Sequence, residues 1–219
     1  MNKRFLADFH EEGIYHVYNR TNNKESLFIS DENRFFFLTQ FTRYLHPFLQ
    51  TYCWCLLPNH FHFLVKIRSE KSIKSYLGSL ESVALKSVEK KYLNGEVTAE
   101  VLLEFEWKRF FTTYSMAFNR KYERSGNLFH RPFKRVAIVD DHHFTQVVIY
   151  IHANPVKHGL CTDYTKYKWS SWQALVNDRA SLLCRHELLE WFGGLENFII
   201  VHQSQTVYYY HCDVGIEDD

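Results

Sequence analysis

At 219 residues and a formal net charge of +1, the chain is long enough for one packed domain and too near neutral to bind a polyanion by bulk attraction. Its 46% hydrophobic and 17% aromatic content is that of a packed globular protein, with no disorder signature. No uncharged apolar run reaches membrane length, and the start Met1-Asn2-Lys3-Arg4-Phe5-Leu6 lacks an apolar signal region, so a cytoplasmic protein with no membrane partner is expected. Cys53, Cys55, Cys161, Cys184 and Cys212 are odd in number and form no CxxC pair, which argues for reduced thiols.

In chain order, residues 13–20 read as a first strand. Ser30 or Asp31 caps an aromatic helix running through Tyr44 and Leu45, and 51–57 and 60–67 read as two strands joined across Pro58-Asn59. Residues 72–92 form a helix ending at Asn94-Gly95, and 98–122 form a second long one. A short strand over 136–139 leads into a helix from Asp141, which Pro155 and Gly159 end. Residues 181–203 read as a small helical extension, and the tail Glu217-Asp218-Asp219 as a solvated end. This order predicts an α+β fold: a ferredoxin-like antiparallel sheet with helices on one face and a helical C-terminal extension. The His60/His62 side is then bare or covered only by the 141–155 helix. One domain is expected, with a core of about 13–172 and an extension of about 173–212.

The segment Leu57-Pro58-Asn59-His60-Phe61-His62-Phe63-Leu64-Val65 places two histidines two residues apart in a run of strand formers. Strand side chains alternate, so His60 and His62 share one face, about 7 Å apart along the strand, while Phe61, Phe63 and Val65 take the other. Such a pair reads either as two surface histidines on a half-buried strand or as two ligands of one divalent metal. Cys53 and Cys55 pack on a neighbouring strand face; as further ligands they would favour zinc.

In the helix that follows, Phe144, Val147, Val148 and Ile151 fall at i, i+3, i+4 and i+7, the spacing of a buried stripe. Tyr150 and Asn154 lie one turn apart on its flank, with His143 and Gln146 near the same line. Tyr150 reads either as a core tyrosine with a wet hydroxyl or as a functional group, and Asn154 either as an oxygen donor to a metal or as a helix-end residue bonding a carbonyl.

These segments resemble a family. Tyr15-His16-Val17-Tyr18-Asn19-Arg20, the His60/His62 motif, Phe118-Asn119-Arg120-Lys121-Tyr122-Glu123-Arg124-Ser125-Gly126-Asn127-Leu128-Phe129 and Tyr150-Ile151-His152-Ala153-Asn154-Pro155-Val156-Lys157-His158-Gly159-Leu160 occur in the order seen in single-tyrosine HUH transposases of bacterial insertion sequences. With Trp169-Ser170-Ser171 the chain is most similar to the REP-associated tyrosine transposases; the resemblance runs from about Gly13 to Trp172. It implies the ferredoxin-like fold, Mg²⁺ or Mn²⁺ held by His60 and His62, and a helical tyrosine, Tyr150, that attacks a DNA phosphate to give a 5′-phosphotyrosine. The family's third ligand is an amide or carboxylate one turn after the tyrosine, here Asn154. The implied partner is single-stranded or hairpin DNA, bound by a monomer as in this branch or by a homodimer as in other relatives. The segment 86–105 looks longer than the family's usual connection.

The chemistry agrees with those roles. A phenol with a pKa near about 10 is a poor nucleophile in water, and a divalent metal helps by withdrawing charge from phosphate oxygens. Two other readings remain: a nucleic-acid-binding protein that does not cut, and a metal-dependent phosphoesterase in which water attacks. Between Lys108 and Arg135 eight basic residues face one acid, Glu123, and aromatics are interleaved with them. Trp107, Phe111, Tyr114, Phe118 and Tyr122 fall at helical spacing and go mainly to the core. The expected DNA contacts are Arg124, Phe129, Arg131, Lys134 and Arg135, with cations on phosphates and Phe129 on exposed bases.

Overall fold

Strand β1 (Ile14–Arg20) pairs antiparallel with β3 (His60–Ile67) on one side and with β4 (Lys134–Ala137) on the other. Strand β2 (Leu49–Leu57) closes the other edge against β3, giving the order β2-β3-β1-β4 of a ferredoxin-like sheet. The computed structural model describes residues 5–211, so Cys212 and the acidic tail at Glu217, Asp218 and Asp219 lie outside the described residues. The expected hairpin is present, with Pro58-Asn59 as its turn. Strand β4 begins two residues earlier than expected, because Lys134 and Arg135 pair with Tyr18 and Val17.

Two helices cover the first face. Helix α1 (Asp31–Leu45) starts at a capping box in which Ser30 Oγ accepts from Asn33 N while the Asn33 side chain accepts from Ser30 N. The expected helix over 72–92 is instead two, α2 (Glu70–Gly78) and α3 (Ser87–Leu93). Ser79 breaks it: its hydroxyl donates to the Tyr76 carbonyl, a local bond that competes with helix propagation next to Gly78. Helix α4 (Ala99–Lys121) then runs back across the sheet from a Thr98 cap. Phe37 and Phe41 of α1 and Trp107, Phe110 and Tyr114 of α4 bury themselves against Phe61, Phe63 and Val65.

The second face is covered too, by α5 (Asp141–Lys157). A helix over the His60/His62 side was the alternative left open by the sequence, so helices on one face alone describes only the α1/α4 side. A bulge between Thr51 and Cys53 turns both Tyr52 and Cys53 toward α5. Behind α5 lie α6 (Trp172–Val176), α7 (Arg185–Trp191) and α8 (Leu195–His211). Phe198 of α8 and Trp172 stack at 5.2 Å in the same apolar cluster. No described helix is long and apolar enough to cross a membrane.

Candidate active site

Strand alternation sorts β3 into two chemistries. Directly paired residues on neighbouring strands share a face. His62 lies opposite Tyr18 and Cys55, and His60 opposite Arg20 and Leu57. His62 is fully buried; its Nδ1 sits 3.0 Å from Nε2 of the equally buried His16, with the rings stacked at 5.2 Å. His16 stacks in turn on Tyr18, at 4.8 Å. His60 is half-buried, its Nδ1 lies 2.7 Å from Asn59 Oδ1, and its ring meets His62 edge-on at 5.2 Å.

Helix α5 delivers the tyrosine. Asp140 Oδ1 accepts from His143 N to cap it, and Phe144, Val147, Val148 and Ile151 form the buried stripe the spacing predicts. Tyr150 is 1% exposed, and its ring stands edge-on to His62 at 5.8 Å and to His16 at 6.2 Å. The Lys157 ammonium lies 5.3 Å from the centroid of the Tyr150 ring. Asn154 is wholly buried one turn on; its Nδ2 donates to the Tyr150 carbonyl at 3.3 Å, while its Oδ1 has no hydrogen-bond partner among the described residues. Pro155 does not end the helix, contrary to the sequence expectation. The end comes at Gly159, φ +67°, where Leu160 N donates to Pro155 O and Gly159 N to Val156 O. That extra turn brings His158 to within 4.8 Å of the His60 ring.

A REP-associated tyrosine transposase solved bound to a REP hairpin superimposes with a TM-score of 0.51, over 83% of this chain and 90% of that one. At 16% identity this likeness establishes the shared fold. No model of a known protein family matches the chain, and no curated protein matches its sequence.

The structure brings His60, His62 and Tyr150 together, with Asn154 one helical turn beyond Tyr150, and gives several of the expected DNA contacts partners within the protein. Phe129 is buried against Phe111 at 4.9 Å, so most of its ring belongs to the core. Arg135 is buried and engaged by Glu100 at 2.6 Å and Glu104 at 2.9 Å. Arg124 ties its own loop together, through Glu25 at 2.5 Å and the Asn127 carbonyl at 3.2 Å. All three share one feature: a charge or ring that reads as surface in sequence has a partner within the protein. Arg131 is exposed, and Lys134 is half-buried with its ammonium 5.3 Å from the Phe5 ring.

Sequence reasoning missed His16, Tyr18, Lys157 and His158 as site residues. The signal for the first two was legible: His16 and Tyr18 repeat on β1 the two-residue spacing of His60 and His62. Their strand also neighbours β3 in any ferredoxin-like order. Lys157 and His158 became visible only once Pro155 was seen inside the helix.

Proposed function

We propose that this protein is a metal-dependent tyrosine transposase that cuts and rejoins single-stranded or hairpin DNA, with Tyr150 as nucleophile and His60, His62 and Asn154 as ligands of Mg²⁺ or Mn²⁺. The observation that carries the reading is Tyr150 seated edge-on over His62, 5.8 Å between ring centroids, one helical turn from a buried amide. The fold shared with a transposase solved on a DNA hairpin supports it independently.

The donor set fits such an ion. Nδ1 of His60 faces Asn59 Oδ1 and so carries the proton of a neutral ring, which leaves Nε2 as the nitrogen bearing the lone pair. His62 Nδ1 is engaged by His16 Nε2, which turns the Nε2 of His62 away from that pair. Among the described residues no cluster of three His, Cys, Asp or Glu side chains is placed to share an ion, so a third protein donor must be of another type. The amide oxygen of Asn154 is buried and without a hydrogen bond, and hard cations favour oxygen donors. Cys53 and Cys55 pack in the apolar cluster, where burial raises both thiols well above their ordinary pKa.

When bound, the ion withdraws charge from the non-bridging phosphate oxygens and orients the scissile group. The chain supplies the rest. Tyr150 Oη bonds to phosphorus, the P–O3′ bond breaks, and the 3′ oxygen leaves as a hydroxyl. The 5′ end stays on Tyr150 until a returning 3′ hydroxyl reverses the exchange. The Lys157 ammonium lies over the Tyr150 ring and adds positive charge beside it. His60 and Lys157 are half-buried and His158 is exposed, so phosphate reaches the site at the C-terminal end of α5.

Incubation with hairpin oligonucleotides bearing single-stranded flanks, followed by denaturing electrophoresis, tests the reading. Wild type should form a covalent adduct that chelator prevents, and Tyr150→Phe should form none while still binding the oligonucleotide. Cleavage persisting in Tyr150→Phe makes water the nucleophile. Binding without cleavage in wild type, with metal present, makes the protein a binder.

A further inference from the structure

On the opposite face of the sheet from Tyr150, α4 and the loop 126–133 enclose a groove of about 580 Å³. That volume falls within the range of pockets that hold small ligands, about 300–1,000 Å³. Its floor is aromatic: Phe111, Phe129 and Phe133 meet with Phe111 and Phe133 5.4 Å apart, and Met116, 68% exposed, forms one lip. Its rim is cationic. Lys108 and Arg131 line it, both exposed, and neither makes a hydrogen bond or ion pair among the described residues.

That separates them from the other cations of the stretch. Arg109, Arg124 and Arg135 are held by acids of the protein itself, whereas the two on the groove are not. The one acid on the groove wall, Glu104, lies 2.9 Å from Arg135. Aromatic surface beside cations that lack acid partners suits a base with its phosphates, since a ring face takes the base while charges meet the backbone. Thr112 and Asn127, also on the wall, make no side-chain hydrogen bond among the described residues and present polar groups to a base edge.

The groove adjoins the tyrosine site around one strand end. Asn19 lines it, with Nδ2 donating to the His130 carbonyl at 3.1 Å, while the next residue, Arg20, pairs with His60 and projects on the His60 side. Arg20 also has no acid partner among the described residues. The His130 pKa is lowered by burial first and then by the charges of Arg20 and Lys134, consistent with positive potential at this corner. A strand leaving the groove past Arg131 and Arg20 therefore meets cations all the way to His60.

We propose that this groove captures an unpaired base of the DNA flank, seating it on Phe111 and Phe133 with adjacent phosphates on Lys108, Arg131 and Arg20. The proposal rests on the strand-cutting reading and adds a second anchoring point on the far face of the sheet. A base still in a duplex could not reach the aromatic floor, so the site selects for single-stranded flank.

The test measures affinity of the full chain for hairpin oligonucleotides carrying a short randomised single-stranded flank, with each flank position in turn made abasic. In wild type one position should be sensitive, losing at least about fivefold, the low end of what one base–aromatic stack contributes. Thr112→Trp fills the groove from an exposed helix position and should erase that sensitivity. As an independent variant, Lys108→Ala with Arg131→Ala should weaken binding of flanked hairpins and flatten the salt dependence by about 0.7 in logarithmic slope per lost phosphate contact. No sensitive position, or a sensitivity unchanged in Thr112→Trp, overturns the proposal while adduct formation by Tyr150 stands. Loss of both adduct and oligonucleotide binding in wild type overturns the strand-cutting reading itself.

Discussion

The two faces of one sheet are built to different rules. On the α1/α4 side Phe41 lies on Phe63 at 4.1 Å and 4° between ring planes, and Phe37 packs on Phe61, Phe110 and Tyr114. That face is an aromatic layer, its buried carboxylates Glu89 and Glu106 both held by Arg109. On the α5 side the same strands present His16, His62 and Cys55, and the covering helix brings Tyr150, His152 and Asn154, all buried. Buried polar groups are destabilising unless paired, so a fold keeps a seam of them where chemistry needs it. One face holds the sheet's shape; the other uses that rigidity to hold imidazoles and a phenol in fixed geometry.

Neighbouring residues on β3 break the comparison most sharply. His62→Ala should abolish metal-dependent adduct formation in the electrophoretic assay and leave cooperative unfolding in place. Phe63→Ala, one residue on and facing the other way, should cost about 3–5 kcal/mol in denaturant titration, because a large buried ring leaves a cavity. If His62→Ala unfolds the chain as severely as Phe63→Ala, the two faces do not divide the work. His16→Leu is intermediate. It removes the group that orients His62 through Nδ1, and loss of such an outer partner costs about 10–100-fold in metal affinity. The Mn²⁺ concentration for half-maximal adduct should rise by that factor, with the plateau recoverable at high metal.

Much of this division was legible in the sequence, because period-two alternation on β3 and the i, i+3, i+4, i+7 stripe of α5 are direct consequences of strand and helix geometry. Relations across chain distance were less so. Nothing local in Arg135 announces Glu100 and Glu104, and nothing local in Phe129 announces Phe111, since these partners are set by how α4 crosses the sheet. The His16–His62 contact was half legible: each spacing could be read, but the pairing required knowing that β1 lies beside β3. Pro155 misled because proline at this point forfeits one helical hydrogen bond, yet the turn beyond it is closed by the Gly159 motif.

Acid sharpens the comparison, since among the described residues the buried histidines lie on the α5 side. His152 Nδ1 lies 3.0 Å from His202 Nε2, His152 Nε2 lies 2.9 Å from Ser171 Oγ, and His202 Nδ1 donates to Phe198 O at 2.7 Å. Burial pushes His202 down to about 3, and lowers His152 as well; His152 and the Tyr164 ring are the titratable groups packed on His202. A histidine whose folded pKa is depressed contributes fully above its unfolded value of about 6.5 and loses that contribution as pH falls toward the folded value. At pH 5 the unfolded chain takes up the proton and the folded one does not, which costs about 2 kcal/mol for His202. The stability difference between pH 7 and pH 5 should shrink by about that amount in His202→Gln. An unchanged difference would place the acid-sensitive groups elsewhere.

The smallest expected effects come from the two helix caps, one on each face. Ser30 caps α1 and Asp140 caps α5, each accepting a backbone N–H in the first turn. Replacing either by Ala should cost about 1 kcal/mol of stability, so denaturant titration alone cannot tell the faces apart. Activity should. Helix α1 carries no site residue, so Ser30→Ala should leave the metal dependence of adduct formation where it was. Helix α5 carries Tyr150 and Asn154, and looseness in its first turn reaches them through the stripe from Phe144 to Ile151. Asp140→Ala should therefore slow adduct formation by a few-fold at saturating metal, in the range that about 1 kcal/mol of lost positioning gives. Equal slowing by both caps would mean that helix stability, and not which face the helix covers, sets the rate.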